Sequence, residues 1–471
     1  MSVSVVASVC INSGRLFSPM TVSMLERLRV KLGPTWKGLA ELVGVSQPHG
    51  AGRRAFLNIS SFQVLAMFRR GMFYSFLSIY LRFFLGLSVT ETTFFASFPM
   101  VLNVLFQTFV WGGVSDRLQL RRTLIILGEI SAAVSTLLVW YAHTLPESGH
   151  AAGYVIIVGM SIVEIFWSMS NVAWSALLSD LYPEHERAGV QGKLSSIGAI
   201  GRIIGVWIGG LAYDGLSQFY EGWGFDKGVL FFIASGIMIV SAIPMFFVPE
   251  GGIKKEKRAL GPQSVGKSNV SRKFLIFLLA MLFINFGRNS VALVKSQYLS
   301  LDEGFNVSSS LLSYIVNTSS VAVLIIGLFV RRLSDRFRDE ILLLVGTVVA
   351  IISLLGFVLA ENLGFIFVSN FVAGASDVII VASSYSYASR LIPREKRGKQ
   401  FALFNATSFL SWGLPGTFIA GPVVDQLMRL GATQVFSYRM SFLAAAVLVF
   451  VGTLISLWVV RMSRSARKKR F

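Results

Sequence analysis

The stretch FRRGMFYSFLSIYLRFFLG, residues 68–86, returns later in the chain as FGRNSVALVKSQYLSLDEG, residues 286–304. Phe68, Arg70, Tyr80, Leu81 and Gly86 recur at one constant offset as Phe286, Arg288, Tyr298, Leu299 and Gly304. Two further matches follow in the same order. Ser115-Asp116-Arg117 pairs with Ser334-Asp335-Arg336, and Pro183, Arg187 and Gly210 pair with Pro393, Arg397 and Gly421. Ordered matches of this kind mark a duplicated unit, and a duplication decides the architecture before any single element is assigned.

Each copy is rich in apolar stretches of roughly 20 residues, the length that crosses a bilayer as a helix. They fall near 59–85, 94–113, 122–142, 152–178, 193–213 and 228–248, then near 273–299, 309–330, 340–359, 363–388, 400–424 and 439–461. Of the 471 residues 54% are hydrophobic and only 14% charged, against roughly 25% charged in an average soluble domain, so the apolar surface belongs in lipid. The expected fold is an all-α polytopic membrane protein of about twelve transmembrane helices in two pseudo-symmetric six-helix bundles. Six spans in each copy give both halves the same orientation. They are then related by an axis along the membrane normal, with a central cavity between them. The division is a cytoplasmic N-terminal segment over 1–58, bundles over 59–248 and 273–461, a polar linker over 249–272, and a basic tail over 462–471.

A net charge of +19 would suggest nucleic acid if the bases formed one patch, but they sit in alternate loops. Even-numbered loops hold Arg117, Arg121 and Arg122, Lys254 to Arg258, Arg331 to Arg338, and Arg394 to Lys399, whereas odd-numbered loops hold acids such as Glu147, Glu221, Asp302 and Glu361. The positive-inside rule accounts for this pattern and puts both termini in the cytoplasm, with the plasma membrane as the expected location. The basicity is topological, and no nucleic-acid partner is expected. Cys10 is the single cysteine and the four His are scattered, so neither a disulfide framework nor a metal site can be built. No phosphate-cradling loop, HExxH pair or Ser/His/Asp order is present, so the chain reads as a carrier without cofactor, not an enzyme.

The segment Gly112-Gly-Val-Ser-Asp116-Arg117-Leu-Gln-Leu-Arg121-Arg122 resembles the loop signature between the second and third helices of the major facilitator superfamily, with a degenerate copy around Asp335 and Arg336. Where that signature has a later Gly this chain has Gln119, and the second copy begins with Arg331. The resemblance spans 59–461. It implies alternating access, with a cytoplasmic gate carried by Gly112, Gly113, Asp116, Arg117, Arg121, Asp335 and Arg336. A short acid near a helix terminus can cap amides or pair with Arg117 or Arg121. The fifth span, with Gly192, Gly201, Gly205, Gly209 and Gly210, resembles the glycine-rich signature of the superfamily's exporters, with Val206 where that signature has Pro. Tight packing against a neighbouring helix explains the same glycines.

An ionisable group at the centre of a span costs about 2.5 kcal/mol or more, so each one calls for a partner, a watery cavity or a role. Arg69 and Arg70 lie in the first span, and Arg288 lies at the matching depth in the seventh. Two guanidinium forks across a pseudo-twofold site suit a carboxylate or phosphate. The competing reading is internal pairing with Glu164 and Asp377. Those two carboxylates are the candidate proton carriers. Glu129 is a further candidate, and Arg202 and Lys295 form a second tier. Trp167, Trp174, Tyr385 and Trp412 are candidate cavity aromatics, although such residues also mark interfaces and helix packing. The expectation is a monomeric secondary active transporter with a slight lean to proton-linked export of a small solute, an organic anion among the candidates. The alternatives are an uptake or exchange carrier for organic anions or phosphate esters and, from another class, a transporter-like receptor or membrane scaffold.

Overall fold

The computed structural model describes residues 52–182, 184–252, 271–392 and 397–468, at some of which, Asp116 and Asp335 among them, the backbone alone is described. Most of the N-terminal segment and of the linker, and the side chains of the basic tail, therefore lie outside the described residues.

Long helices stand at each position read from the apolar stretches. In the first copy they are α1 (Arg53–Ile79, prolonged by the π turn Tyr80–Phe84), α2 (Val89–Phe106, continuing through Gln107–Trp111 and Gly112–Leu118), α3 (Arg121–His143), α4 (Gly149–Leu181), α5 (Glu184–Tyr213) and α6 (Val229–Met245). In the second they are α7 (Arg272–Ser290, followed by Val294–Leu299), α8 (Ser309–Arg336), α9 (Asp339–Leu359), α10 (Leu363–Leu391), α11 (Arg397–Ser411, then Gly416–Ala420 and Gly421–Arg429) and α12 (Gln434–Lys468). Nine helices among the described residues are long and apolar enough to cross a membrane by length and composition, and α6 is apolar but shorter. This is an integral, multi-pass membrane chain.

Two boundaries differ from the sequence reading for identifiable reasons. The apolar run of α2 starts near 94, yet the helix starts at Val89. The Ser88 hydroxyl accepts from the Glu91 amide at 3.2 Å, and the Glu91 carboxylate accepts from the Ser88 amide at 2.8 Å. That reciprocal cap sets the first turn ahead of the apolar run. In α11 the expected continuous span is broken near Pro415 and resumes through a π turn at Gly416–Ala420, because proline cannot donate the bond that would continue the helix.

Pseudo-symmetry is written in the packing. In the first half α1 packs on α5 and α6, α3 on α4 and α6, and α2 on α4. In the second, α7 packs on α11 and α12, α9 on α10 and α12, and α8 on α10. The contacts between halves obey the same operation, α2 against α11 and α5 against α8. Small residues permit these approaches. A Cβ at Gly201 or Gly205 would fall on the Val64 or Phe68 carbonyl of α1, and one at Gly209 would lie 2.6 Å from the Met72 carbonyl. Gly210 faces the other half, where a Cβ would lie 2.7 Å from the Ser309 carbonyl. The helix-five glycines are thus a packing seam.

The halves are clasped at the end that carries the acidic loops. The Asp425 carboxylate, from the end of α11, accepts from the Val89 and Thr90 amides at 3.0 and 2.7 Å, capping α2 of the opposite half. Its counterpart Asp214, at the end of α5, accepts from the Ser309 hydroxyl at the start of α8. Gln297 of the second half donates to the Thr92 hydroxyl of α2 at 2.8 Å and to the Ser78 carbonyl of α1 at 3.3 Å. Ser97 and Thr417 bond one turn deeper. The bonds named here between the halves all lie toward the acidic-loop end.

Asp425→Ala leaves two helix-start amides of α2 without their acceptor, a loss of about 1–2 kcal/mol in cap strength. The expected result is a shift toward opening of this end. It would be read as faster maleimide labelling of a Thr417→Cys probe in a Cys10→Ser background; an unchanged labelling rate would show that the clasp does not hold the end shut.

Candidate functional site

In the first half, the ionisable residues gather around Trp167 of α4. Arg69 and Arg70 both lie over its ring, their guanidinium carbons 3.5 and 4.3 Å from the centroid, and Tyr74 stacks on it at 6.3 Å. Glu129 of α3 accepts from the Trp167 indole N–H at 2.9 Å and from the Ser170 hydroxyl at 3.0 Å. Its other oxygen lies 3.9 Å from Arg69. With side chains 3% and 1% exposed, Arg69 and Glu129 are a buried pair inside the bundle, where Arg69 borders a small internal cavity with Tyr74, Met160 and Met238. Trp167 is buried with them. Of the sequence candidates for substrate contact, Arg69 and Trp167 therefore support the site from behind.

Arg70 and Glu164 sit one layer nearer the cleft. Both are half-buried, and Glu164 accepts from the Asn103 amide at 2.8 Å and the Tyr74 hydroxyl at 3.2 Å. The two partners are neutral, so Glu164 can gain or lose a proton without breaking an ion pair. Among the described residues no carboxylate lies within ion-pair distance of Arg70.

In the second half, Arg288 of α7 approaches Asp377 of α10 at 3.1 Å, with side chains 11% and 48% exposed. The approach is off the N–H axis, and Arg288 Nε and Nη1 make no hydrogen bond. Charge alone holds this pair. Lys295 donates to Asn370 at 2.6 Å beside the Phe357 ring. Arg202 of α5, from the other half, is exposed at mid-span and interacts electrostatically with both Asp377 and Arg70. Lipid does not tolerate an exposed arginine and an exposed carboxylate at that depth, so both face an aqueous cleft. Tyr385 is exposed two turns from Asp377 on α10, and Trp412 is exposed at the end of the first part of α11. Trp174 packs on Phe62 at 5.1 Å and belongs to the helix core.

The expected gate is only partly visible. Asp116 and Asp335 lie outside the described side chains, while Arg117 and Arg336 are exposed. Arg121 is buried, and its partners include Ser115, the Gln119 side chain and the Asp180 carboxylate at the end of α4, the last at 3.4 Å. The Asp180 carboxylate also accepts from the Gly252 amide at 2.9 Å. The second half has the same brace with its charges exchanged. Asp339 at the start of α9 lies 2.8 Å from Arg390 at the end of α10. Space around Gly113 is open, and a Cβ at Gly112 would meet only the Gln107 carbonyl of its own helix. In this conformation neither glycine is pressed against another helix.

The sequence reading missed Asp180, Asp339, Arg390, Asp214 and Asp425. A signal for the last two was available: Gly210-Leu-Ala-Tyr-Asp214 and Gly421-Pro-Val-Val-Asp425 extend a repeat already recognised. The others carry no local signature, since their partners come from distant helices.

The family description that matches this sequence is Major Facilitator Superfamily, over residues 59–416 and 277–470. The chain belongs to the major facilitator superfamily. Similar superfamily-type proteins include Multidrug resistance protein 2 of Bacillus subtilis (strain 168), 23% identical over 202 residues, which are 43% of this chain and 47% of that one. Multidrug resistance protein MdtG of Salmonella choleraesuis (strain SC-B67) is 23% identical over 271 residues, 57% of this chain and 62% of that one. The chain thus spans about half to three-fifths of the length of these curated relatives. Among solved structures, a D-xylose-proton symporter superposes with a TM-score of 0.68 at 15% identity, covering 86% of this chain and 96% of the other. A bacterial homolog of the human lysosomal transporter Spinster, solved inward-facing and unoccupied, gives 0.65 at 14%, covering 88% and 98%. At such identities the likeness shows the superfamily fold alone.

Proposed function

We propose that this chain is a secondary active transporter that moves a small organic anion by alternating access, with a lean to proton-linked export. The observation that carries this reading is the mid-span cleft itself. Arg70 and Arg202 have no carboxylate within ion-pair distance among the described residues, and Arg288 is held only by the half-exposed Asp377. A cleft built this way attracts anions and offers planar donors to carboxylate or phosphate oxygens. Anion oxygens compete with Asp377 for Arg288, which holds that carboxylate without a hydrogen bond.

Glu164 is the proposed proton carrier, because its partners Asn103 and Tyr74 are neutral and tolerate either protonation state. Asp377 acts as the counter-ion that substrate displaces. By the positive-inside rule the open, basic end faces the cytoplasm, so the arrangement is ready to load from inside, consistent with export. The multidrug relatives favour the same direction.

The test is flux into proteoliposomes under an imposed pH gradient, using panels of organic anions, cations and neutral solutes. Arg70→Ala and Arg288→Ala are each expected to cut anion flux at least tenfold, the cost of about one charge-assisted contact. Glu164→Gln is expected to abolish the response to the pH gradient while leaving anion counterflow intact. Unchanged anion flux in both arginine variants, or flux of cations alone, would overturn the reading.

A further inference from the structure

The charged groups of the cleft come from both halves and do not balance. Arg69 and Glu129 neutralise each other in the bundle interior and drop out of the count. What remains facing or bordering the cleft is Arg70, Arg202, Arg288 and Lys295 against Glu164 and Asp377. The excess is two positive charges. Alternating access requires the cleft to close over its contents, and closing it removes the water that screens this excess. A buried surplus of charge is costly, so closure favours a cargo that cancels it.

We propose that the substrate is a small dianion, and that Arg202 and Lys295 are the residues that select the second negative charge. This inference rests on the anion-carrier reading above and narrows it. One anionic group of the cargo competes with Asp377 for Arg288, which holds that carboxylate at 3.1 Å without a hydrogen bond. The other lies toward Arg202 on α5 and Lys295 on α7, the two cations whose electrostatic field also reaches Asp377. Arg202 belongs to the first half, and Arg288 and Lys295 to the second, so a dianion bridges the halves and draws the open end together. A monoanion satisfies one side only and leaves a net positive charge to be buried. Dicarboxylates and phosphate monoesters share the required chemistry, two negative charges carried on oxygen within one small molecule.

Full-length protein in proteoliposomes would be assayed for counterflow of butyrate, succinate, glycerol 3-phosphate and choline. Succinate and glycerol 3-phosphate, either or both, are expected to exceed butyrate roughly tenfold, the worth of one additional charge-assisted contact. If succinate alone does so the cargo is a dicarboxylate, and if glycerol 3-phosphate alone does so it is a phosphate ester; each supports the proposal. Arg202→Gln and Lys295→Gln are expected to lower the dianion-to-butyrate ratio about tenfold, and Arg202→Lys to restore much of it, which separates charge from packing. Butyrate equal to or above both dianions would overturn the dianion inference while leaving the anion carrier standing. So would a ratio unchanged in both glutamine variants. Counterflow of choline alone, or of none of the anions, would overturn both.

Discussion

Glu129→Leu is expected to lower the stability of the detergent-solubilised protein by about 3–5 kcal/mol, because it leaves Arg69 buried with no counter-charge. Arg69 is 3% exposed and its Nε and Nη2 already lack hydrogen-bond partners. The same substitution removes the acceptor of the Trp167 indole N–H and releases the ring on which Arg70 rests. Thermal unfolding followed by size-exclusion chromatography is the readout. Adding Arg69→Met to Glu129→Leu should recover most of the loss, since an apolar pair of similar volume avoids the buried charge altogether. If the single variant melts with wild type, Arg69 finds solvent that this structure does not give it. If the double variant is no better than the single, the cost lies in the Trp167 and Ser170 hydrogen bonds instead.

Gly205→Val is expected to be nearly as severe, through sterics instead of charge. A Cβ there would fall on the Phe68 carbonyl, a backbone atom of α1 that cannot rotate away. Overfilling a packed interface costs typically about 1–3 kcal/mol, and a clash with backbone belongs at the upper end. The expected outcome is a large fall in the yield of monodisperse protein. Any protein that folds should have weakened anion flux, because pushing α1 off α5 moves Arg70, two residues beyond Phe68. Gly236→Ala is the matched control, because nothing lies within 4 Å of a Cβ at that position and yield should hold. Wild-type yield and flux for Gly205→Val would mean the seam between α1 and α5 is looser than the structure has it.

Much of this architecture was legible before any coordinate. Helix positions follow from apolar length, and repeats such as Arg70 with Arg288 place equivalent groups at equivalent depth. Partner choice was not legible. Glu164 and Asp377 were both weighed as partners for the arginines. Asp377 does meet Arg288, whereas Glu164 is bonded by Asn103 and Tyr74, and Arg69 is taken by Glu129. Arg121 also meets an acid from the end of α4, Asp180, which no spacing near Arg121 announced. Spacing along one helix constrains which face a residue occupies, but a charge pairs with whatever the neighbouring helix brings within a few ångströms.

Local chemistry therefore settled what each segment is. Lipid demands long apolar helices with internally satisfied backbones, the duplication copies them, and the alternation of bases among the loops orients them. These properties are sums over neighbouring residues, which a sequence displays directly. Which end is shut, which arginine is buried and which faces water depend on groups tens to hundreds of positions apart. Asp425 reaching Val89, and Arg202 crossing toward Asp377, exist only because two six-helix units dock at one end and part at the other. That docking is set by side-chain fit between surfaces that no single stretch of chain contains.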